Sequence, residues 1–295
     1  MKLAIYGKSF DQLQQATIAN LFAILGREKI SYCIEEQYLR LIKDIVPDNN
    51  PETFGDTNQL ASEGVDFMLS LGGDGTLLET LAYIKNTAIP VIGVNLGRLG
   101  FLSLVPKNEI EQALFSLQNG HFKLEKRSVL ELHSENNLFA PFNYALNDFT
   151  IHKRDSGSMI TIDVYLNGDF FNSYWADGII VCTPTGSTAY SLSCGGPIIF
   201  PDSNNFAITP VAPHNLTIRP VIVPDNSTIS FKVKGRGANC LVSLDARYHS
   251  IDNINEIAIQ KAGFMLNLVK LNNQNFINTL REKLNCNPTP FWRHR

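Results

Sequence analysis

The first hundred residues alternate short apolar runs with stretches of helical spacing. Leu3 to Tyr6 is an apolar run closed by Gly7. Gln12 to Leu25 sets Leu13, Ala16, Ala19, Leu21, Phe22 and Leu25 at helical spacing, with Gly26 placed to cap the C-terminus. Tyr32 to Ile34, Asp66 to Ser70 and Pro90 to Val94 read as further strands. This rhythm predicts a doubly wound, Rossmann-like α/β domain over residues 1–102. Its ligands belong in the loops at the carboxyl ends of the strands.

After about residue 103 the texture changes. One helical stretch, Glu109 to Gln118, precedes many short alternating runs, the pattern of a β-rich domain over residues 103–271. Met159 to Leu166 followed by Asn167-Gly168 predicts a hairpin, because both central residues of a type I′ turn need positive φ. Thr228 to Val233, Ala238 to Leu244 and Glu256 to Lys261 continue the strand rhythm, and Phe276 to Leu284 reads as a helix.

Composition narrows the class. The chain has 295 residues, 44% hydrophobic and 18% charged, with a formal net charge of −3. This describes an ordered globular protein and lacks the basic footprint of a nucleic-acid binder. The cluster Lys123, Lys126, Arg127 reads as a solvated face. Five cysteines, far apart and without ligand spacing, argue against a zinc site or a disulfide framework, so a reducing cytoplasm is expected. No apolar stretch approaches the ~20 residues of a membrane span, and no membrane partner is expected.

The sharpest chemical feature is Gly72-Gly73-Asp74-Gly75-Thr76, between a strand and the helical pattern Leu77 to Ile84. Glycines let a backbone approach a polyphosphate, and the helix N-terminus offers free N–H groups to anions. An aspartate there would repel phosphate unless a cation or a substrate hydroxyl intervenes. Asp74 therefore reads as a metal-linked group or as a base acting on an attacking hydroxyl. A structural turn with Asp74 as helix cap fits the same residues. Gly7-Lys8-Ser9 lacks the upstream glycine of a P-loop, and Gly93 to Gly100 fails the dinucleotide fingerprint.

A second constellation runs from Asp177 through an apolar strand into Thr183-Pro-Thr-Gly-Ser-Thr-Ala-Tyr190. Its hydroxyls offer hydrogen bonds beside a ring able to stack on a base, which suits a nucleoside. A hydroxyl-capped turn before a helix is the plainer alternative.

Together, Gly72 to Thr76, Asn95-Leu-Gly-Arg-Leu-Gly-Phe-Leu102, Asn147-Asp148 and Thr183 to Tyr190 resemble the motifs of NAD kinases in order and spacing, over almost the whole chain. The resemblance implies a β-rich NAD-binding second domain, with residues 272–295 packing back on the first. It implies that Asp74 accepts the proton of the adenosine ribose 2′-hydroxyl, with Gly75 touching the dinucleotide and Gly72, Gly73 and Thr76 completing the phosphate loop. Asn147 and Asp148 match the pair that holds the adenosine half, where the family often has glutamate at the position of Asp148. Asp177 and the run Thr188, Ala189, Tyr190, Ser191, Leu192 and Ser193 match positions lining the NAD site in a dimer, and Ser158 and Arg247 fall where the family places substrate contacts. ATP as phosphoryl donor, Mg2+ and a homodimer or homotetramer are implied in the same way. A lipid kinase of the diacylglycerol or sphingosine type shares the Gly72 to Thr76 loop but not the Thr183 to Tyr190 turn. A non-catalytic NAD(P)-sensing protein is the reading from another class.

Overall fold

In the computed structural model, residues 1–97, 99–154, 159–234, 239–252, 257–272 and 274–284 are described. Among them no helix is long and apolar enough to cross a membrane. The chain divides into two compact units, one formed by Met1–Glu125 with the chain from Asn267 onward, the other by Lys126–Leu266.

The first unit carries strands β1 (Lys2–Gly7), β2 (Ser31–Glu35), β3 (Glu52–Phe54), β4 (Phe67–Leu71), β5 (Val91–Asn95), β6 (Val105–Pro106) and β7 (Phe122–Arg127). Its helices are α1 (Gln12–Arg27), α2 (Glu36–Ile42), α3 (Thr57–Ser62), α4 (Asp74–Ile84) and α5 (Ile110–Gln118). The second unit holds β8 (Leu130–Ser134), β9 (Tyr144–Ala145), β10 (Asp148–Lys153), β11 (Ile160–Leu166), β12 (Asp169–Ala176) and β13 (Gly178–Cys182), then α6 (Tyr190–Ser193). It continues with β14 (Asn205–Val211), β15 (Val221–Pro224), β16 (Ile229–Lys234), β17 (Asn239–Leu244), β18 (Arg247–Asp252) and β19 (Ile257–Lys261). The chain then returns to the first unit with β20 (Leu266–Leu271) and α7 (Phe276–Lys283).

The first sheet has the order β3-β2-β1-β4-β5-β20-β7, with β6 beside β5. Strands β1 to β6 pair in parallel. β4 and β5 are buried nearly throughout, as expected of parallel strands covered on both faces. The strand order reverses beside β1, so the ligand crevice of such a sheet lies at the carboxyl ends of β1 and β4. The unit runs past residue 102 because β6 pairs with β5 and Ile110, Ala113, Leu114 and Leu117 of α5 join its core. Gly26 does not cap α1 but lies within it; Glu28 caps the helix and Lys29 (φ 51°) makes the reversal.

The second unit has two sheets, ordered β15-β14-β13-β10-β17-β18 and β12-β11-β16-β19-β8-β9. Their inner faces share one core, where Phe149 of β10 meets Phe231 of β16 at 5.4 Å between ring centres. The β11–β12 hairpin turns at Asn167 and Gly168, both at positive φ.

Candidate active site

In the first unit a candidate constellation is built at the carboxyl end of β4. Gly72 donates to the Val94 carbonyl at 3.0 Å, and a Cβ on it would stand 2.3 Å from the Thr76 hydroxyl, so the chain turns into α4 only with glycine there. Gly73, not Asp74, occupies the helix cap, and Asp74 is the first helical residue. The capping role is therefore excluded.

The Asp74 carboxylate instead faces the loop after β5. Its Oδ2 accepts from Phe101 N–H at 2.7 Å, and its Oδ1 from the N–H groups of Leu102 and Ser103 at 3.0 and 2.9 Å. Asn95 shapes that loop: its Oδ1 accepts from Gly97 N–H at 2.7 Å and its Nδ2 donates to the Ser103 carbonyl. A Cβ on Gly100 would fall 1.9 Å from Asp74 Oδ1. The backbone amides of residues 101–103 thus form a cradle for one carboxylate. Of the roughly four acceptor positions of a carboxylate, three are used, and the remaining one on Oδ2 can orient a substrate hydroxyl. Lys8, at the end of β1, is paired with Glu79 of α4, which also accepts from the Tyr6 hydroxyl at 2.6 Å.

In the second unit a separate constellation lies at the start of β10. Thr183 donates through its N–H to the Asn147 carbonyl at 2.9 Å and through its hydroxyl to the Leu146 carbonyl at 2.6 Å. Asp245 accepts from the N–H groups of residues 146–148. Asp148 is 6% exposed; burial, reinforced by the charge of Asp245, pushes its carboxyl up to about 7. The folded chain therefore keeps a proton on Asp148 that the unfolded chain releases near the ordinary value of 3.8. The stability this gives is complete below that value and is lost as pH rises through about 7. An Asp148→Asn protein is accordingly expected to melt above the wild type at pH 8.5, with the gap closing towards pH 5. Equal melting differences at both pH values would contradict the assignment.

Along β13, Asp177 and Thr183 stand at opposite ends, roughly 20 Å apart at ~3.3 Å per residue. Asp177 pairs with Lys153 at 2.6 Å. Burial chiefly raises the Tyr190 hydroxyl, followed by the neighbouring Cys194, with smaller contributions from the charges of Asp148 and Asp177. Tyr190 is half-exposed, while Ser191 is buried and bonded to Thr209 at 2.9 Å. Thr188 donates to the Thr185 carbonyl at 3.3 Å, Ala189 N–H closes the turn onto the Gly186 carbonyl at 2.9 Å, and Leu192 and Ser193 complete the short helix α6. The guanidinium of Arg247 donates to the carbonyls of Phe142 and Tyr144 and lies over the Phe142 ring, so it braces the segment leading to Asn147. Ser158 lies outside the described residues.

One sequence reading changes, and two further residues stand out. Arg127, grouped with a solvated face, is 2% exposed and donates to Thr185 under the hydroxyl-rich turn. Trp175 is half-exposed, its ring tilted against that of His214 at 4.2 Å between centres. Asp245 was passed over beside Arg247. Its signal was an aspartate in the two-residue connection between β17 and β18, where φ is 51°, a conformation aspartate tolerates better than most residues.

A glycine-lined helix start at the switch point of a parallel sheet, on a chain that continues into a β-rich unit, defines a phosphate-handling α/β enzyme. Comparison makes the class specific. Residues 14–122 match the ATP-NAD kinase N-terminal domain and residues 146–271 the ATP-NAD kinase C-terminal domain. An NAD kinase of Cytophaga hutchinsonii is 44% identical over 287 residues, covering 97% of this chain and 98% of that protein. One of Flavobacterium psychrophilum is 42% identical, covering 96% and 97%. Among solved structures, yeast NADH kinase complexed with NADH superposes with a TM-score of 0.86 at 25% identity, covering 100% of this chain and 90% of that one. An NAD kinase from Archaeoglobus fulgidus in complex with ATP has the same fold, with a TM-score of 0.74 at 24% identity, covering 98% and 100%. The chain belongs to the NAD kinase family.

Proposed function

We propose that this protein transfers the γ-phosphoryl group of ATP to the 2′-hydroxyl of the adenosine ribose of NAD, giving NADP. The observation that carries the reading is the Asp74 carboxylate, fixed by three amides beside a free helix N-terminus, in a chain of this family. The open lone pair of Asp74 orients the ribose hydroxyl and takes its proton as the bond to phosphorus forms, while the backbone N–H groups of Gly73 and Gly75 serve the phosphates in a loop whose turn is set by Gly72, bonded to the Val94 carbonyl, and by Thr76, bonded to the Gly73 carbonyl. Asn147 and Asp148 hold the adenosine half, and Tyr190 offers a face for stacking. Asp177, with Thr188 to Ser193, serves the dinucleotide in a homodimer or homotetramer, which fits its separation from Asp148 within one chain. Ser158 and Arg247 keep the substrate-contact role that the resemblance implies, with Arg247 acting through the backbone it braces.

Among the described residues no group of three histidines, cysteines or carboxylates could cage a metal. Mg2+ fits as an ion delivered on the donor's phosphate oxygens, its usual mode of binding, where it would offset charge developing on the transferred group. The four described cysteines are all free, which suits work in the cytoplasm. The test is NADP formation by the purified chain from NAD with ATP or inorganic polyphosphate, with and without EDTA, and with NADH as a second acceptor. Turnover with ATP that EDTA abolishes and added Mg2+ restores is the expected result. Tight NAD binding with no turnover on either donor would instead make the protein a sensor.

A further inference from the structure

The two residues proposed to grip adenosine stand on a turn whose backbone is held by a third residue, Asp245, outside the segments that carry the family resemblance. Asp245 Oδ2 accepts from Leu146 N–H at 2.9 Å, and Oδ1 accepts from Asn147 and Asp148 N–H at 2.8 and 3.2 Å. In return Asp245 N–H donates to the Asp148 carbonyl at 2.9 Å. From the opposite side the turn is closed by Thr183 and by Gly186, where a Cβ would stand 2.1 Å from the Asn147 carbonyl oxygen. Asp245 is itself fixed, since it forms the left-handed corner of the β17–β18 hairpin.

We propose that Asp245 is the positioning residue of the NAD-binding turn, its carboxylate acting through the backbone of residues 146–148 to aim Asn147 and Asp148 at the adenosine. The inference rests on the NAD kinase reading above and assigns a residue to that site. Only a carboxylate satisfies the geometry. An asparagine presents one oxygen and one NH2 group, so at least one of the three N–H groups loses its acceptor and faces a donor.

Asp245 has a second effect that a purely structural residue would not have. Asp148 is faced by Asp245 from the β17–β18 corner, by Cys182 across the β10–β13 pair, and by Tyr190 and Cys194 from α6 and its end; the Asp245 carboxyl is itself raised by burial, against which the three amides of residues 146–148 and then Arg247 favour its ionised form. Burial is the main cause of the raised Asp148 value of about 7, and Asp245 supplies the remainder. The ionised Asp148 is the form that accepts hydrogen bonds from ribose hydroxyls. KM for NAD should therefore climb as pH falls through about 7, and removing the charge at position 245 should move that climb to lower pH.

The test uses the full-length protein and its Asp245→Asn and Asp245→Glu variants. KM is measured for NAD at saturating ATP and Mg2+, and for ATP at saturating NAD, from pH 5.5 to 8.5. Asp245→Asn is expected to raise KM for NAD about tenfold or more, to leave KM for ATP and kcat within about threefold, and to shift the acid limb downward. Asp245→Glu, which keeps the charge but misplaces it, should raise KM for NAD without shifting the limb. Equal rises in both KM values, an unmoved limb in Asp245→Asn, or failure of both variants to fold would overturn the proposal, the last by making Asp245 a determinant of the fold as a whole. A wild type that forms no NADP would sink the kinase reading itself, a result distinct from any of these.

Discussion

Asp74→Asn protein is expected to bind NAD with near wild-type affinity and to turn over ~10²- to 10⁴-fold more slowly, the usual worth of a positioned general base. The substitution is nearly isosteric, so two of the three bonds from the 101–103 amides can survive on the amide oxygen. What disappears is the acceptor able to take a proton from the ribose hydroxyl. The loss belongs in kcat, because that interaction strengthens only as the hydroxyl attacks. Calorimetric titration with NAD beside steady-state kinetics separates the outcomes. An Asp74→Asn enzyme within about threefold of wild-type kcat would show that positioning alone carries the reaction.

Gly100→Ala is expected to be almost as damaging, although residue 100 need never touch substrate. Its Cβ would enter within 1.9 Å of Asp74 Oδ1, and the nearest escape is a shift of the loop that supplies the amides. Either the carboxylate rotates away or the Phe101, Leu102 and Ser103 bonds lengthen, and a misplacement of about 1 Å at the reacting group costs on the order of 10²-fold. Because both changes act on one carboxylate, their effects should not add. The double variant Gly100→Ala/Asp74→Asn should be no slower than Asp74→Asn by more than about threefold. Multiplicative losses would mean that Gly100 works elsewhere.

The cradle shows what was legible in advance. Gly72 to Thr76 and Asn95 to Leu102 stand out in the sequence through their glycines, and the strand-helix rhythm gives the crevice between β1 and β4. That the second segment binds the aspartate of the first depends on β5 pairing beside β4, which no local pattern reports. The short helices α2 and α3 have too few turns to show a period, and both are set by carboxylate caps, Glu35 and Asp56. β20 is a different case. Its apolar character is visible, but its return to β5 in the first sheet is a long-range pairing. Arg127 was misread because its lysine neighbours are exposed, and one position along a strand reverses the face. Asp245 escaped for a similar reason: its importance lies in three backbone amides nearly a hundred residues away.

The central claim is that the acceptor is the 2′-hydroxyl of the adenosine ribose. The most direct measurement incubates the purified chain with γ-labelled ATP, Mg2+ and either NAD or its 2′-deoxyadenosine analogue, and follows the label. Label should pass to NAD, yielding a product that an NADP-specific dehydrogenase reduces, and should not pass to the analogue even at concentrations where it competes with NAD. Labelled analogue, or a labelled NAD product that such a dehydrogenase ignores, would contradict the account.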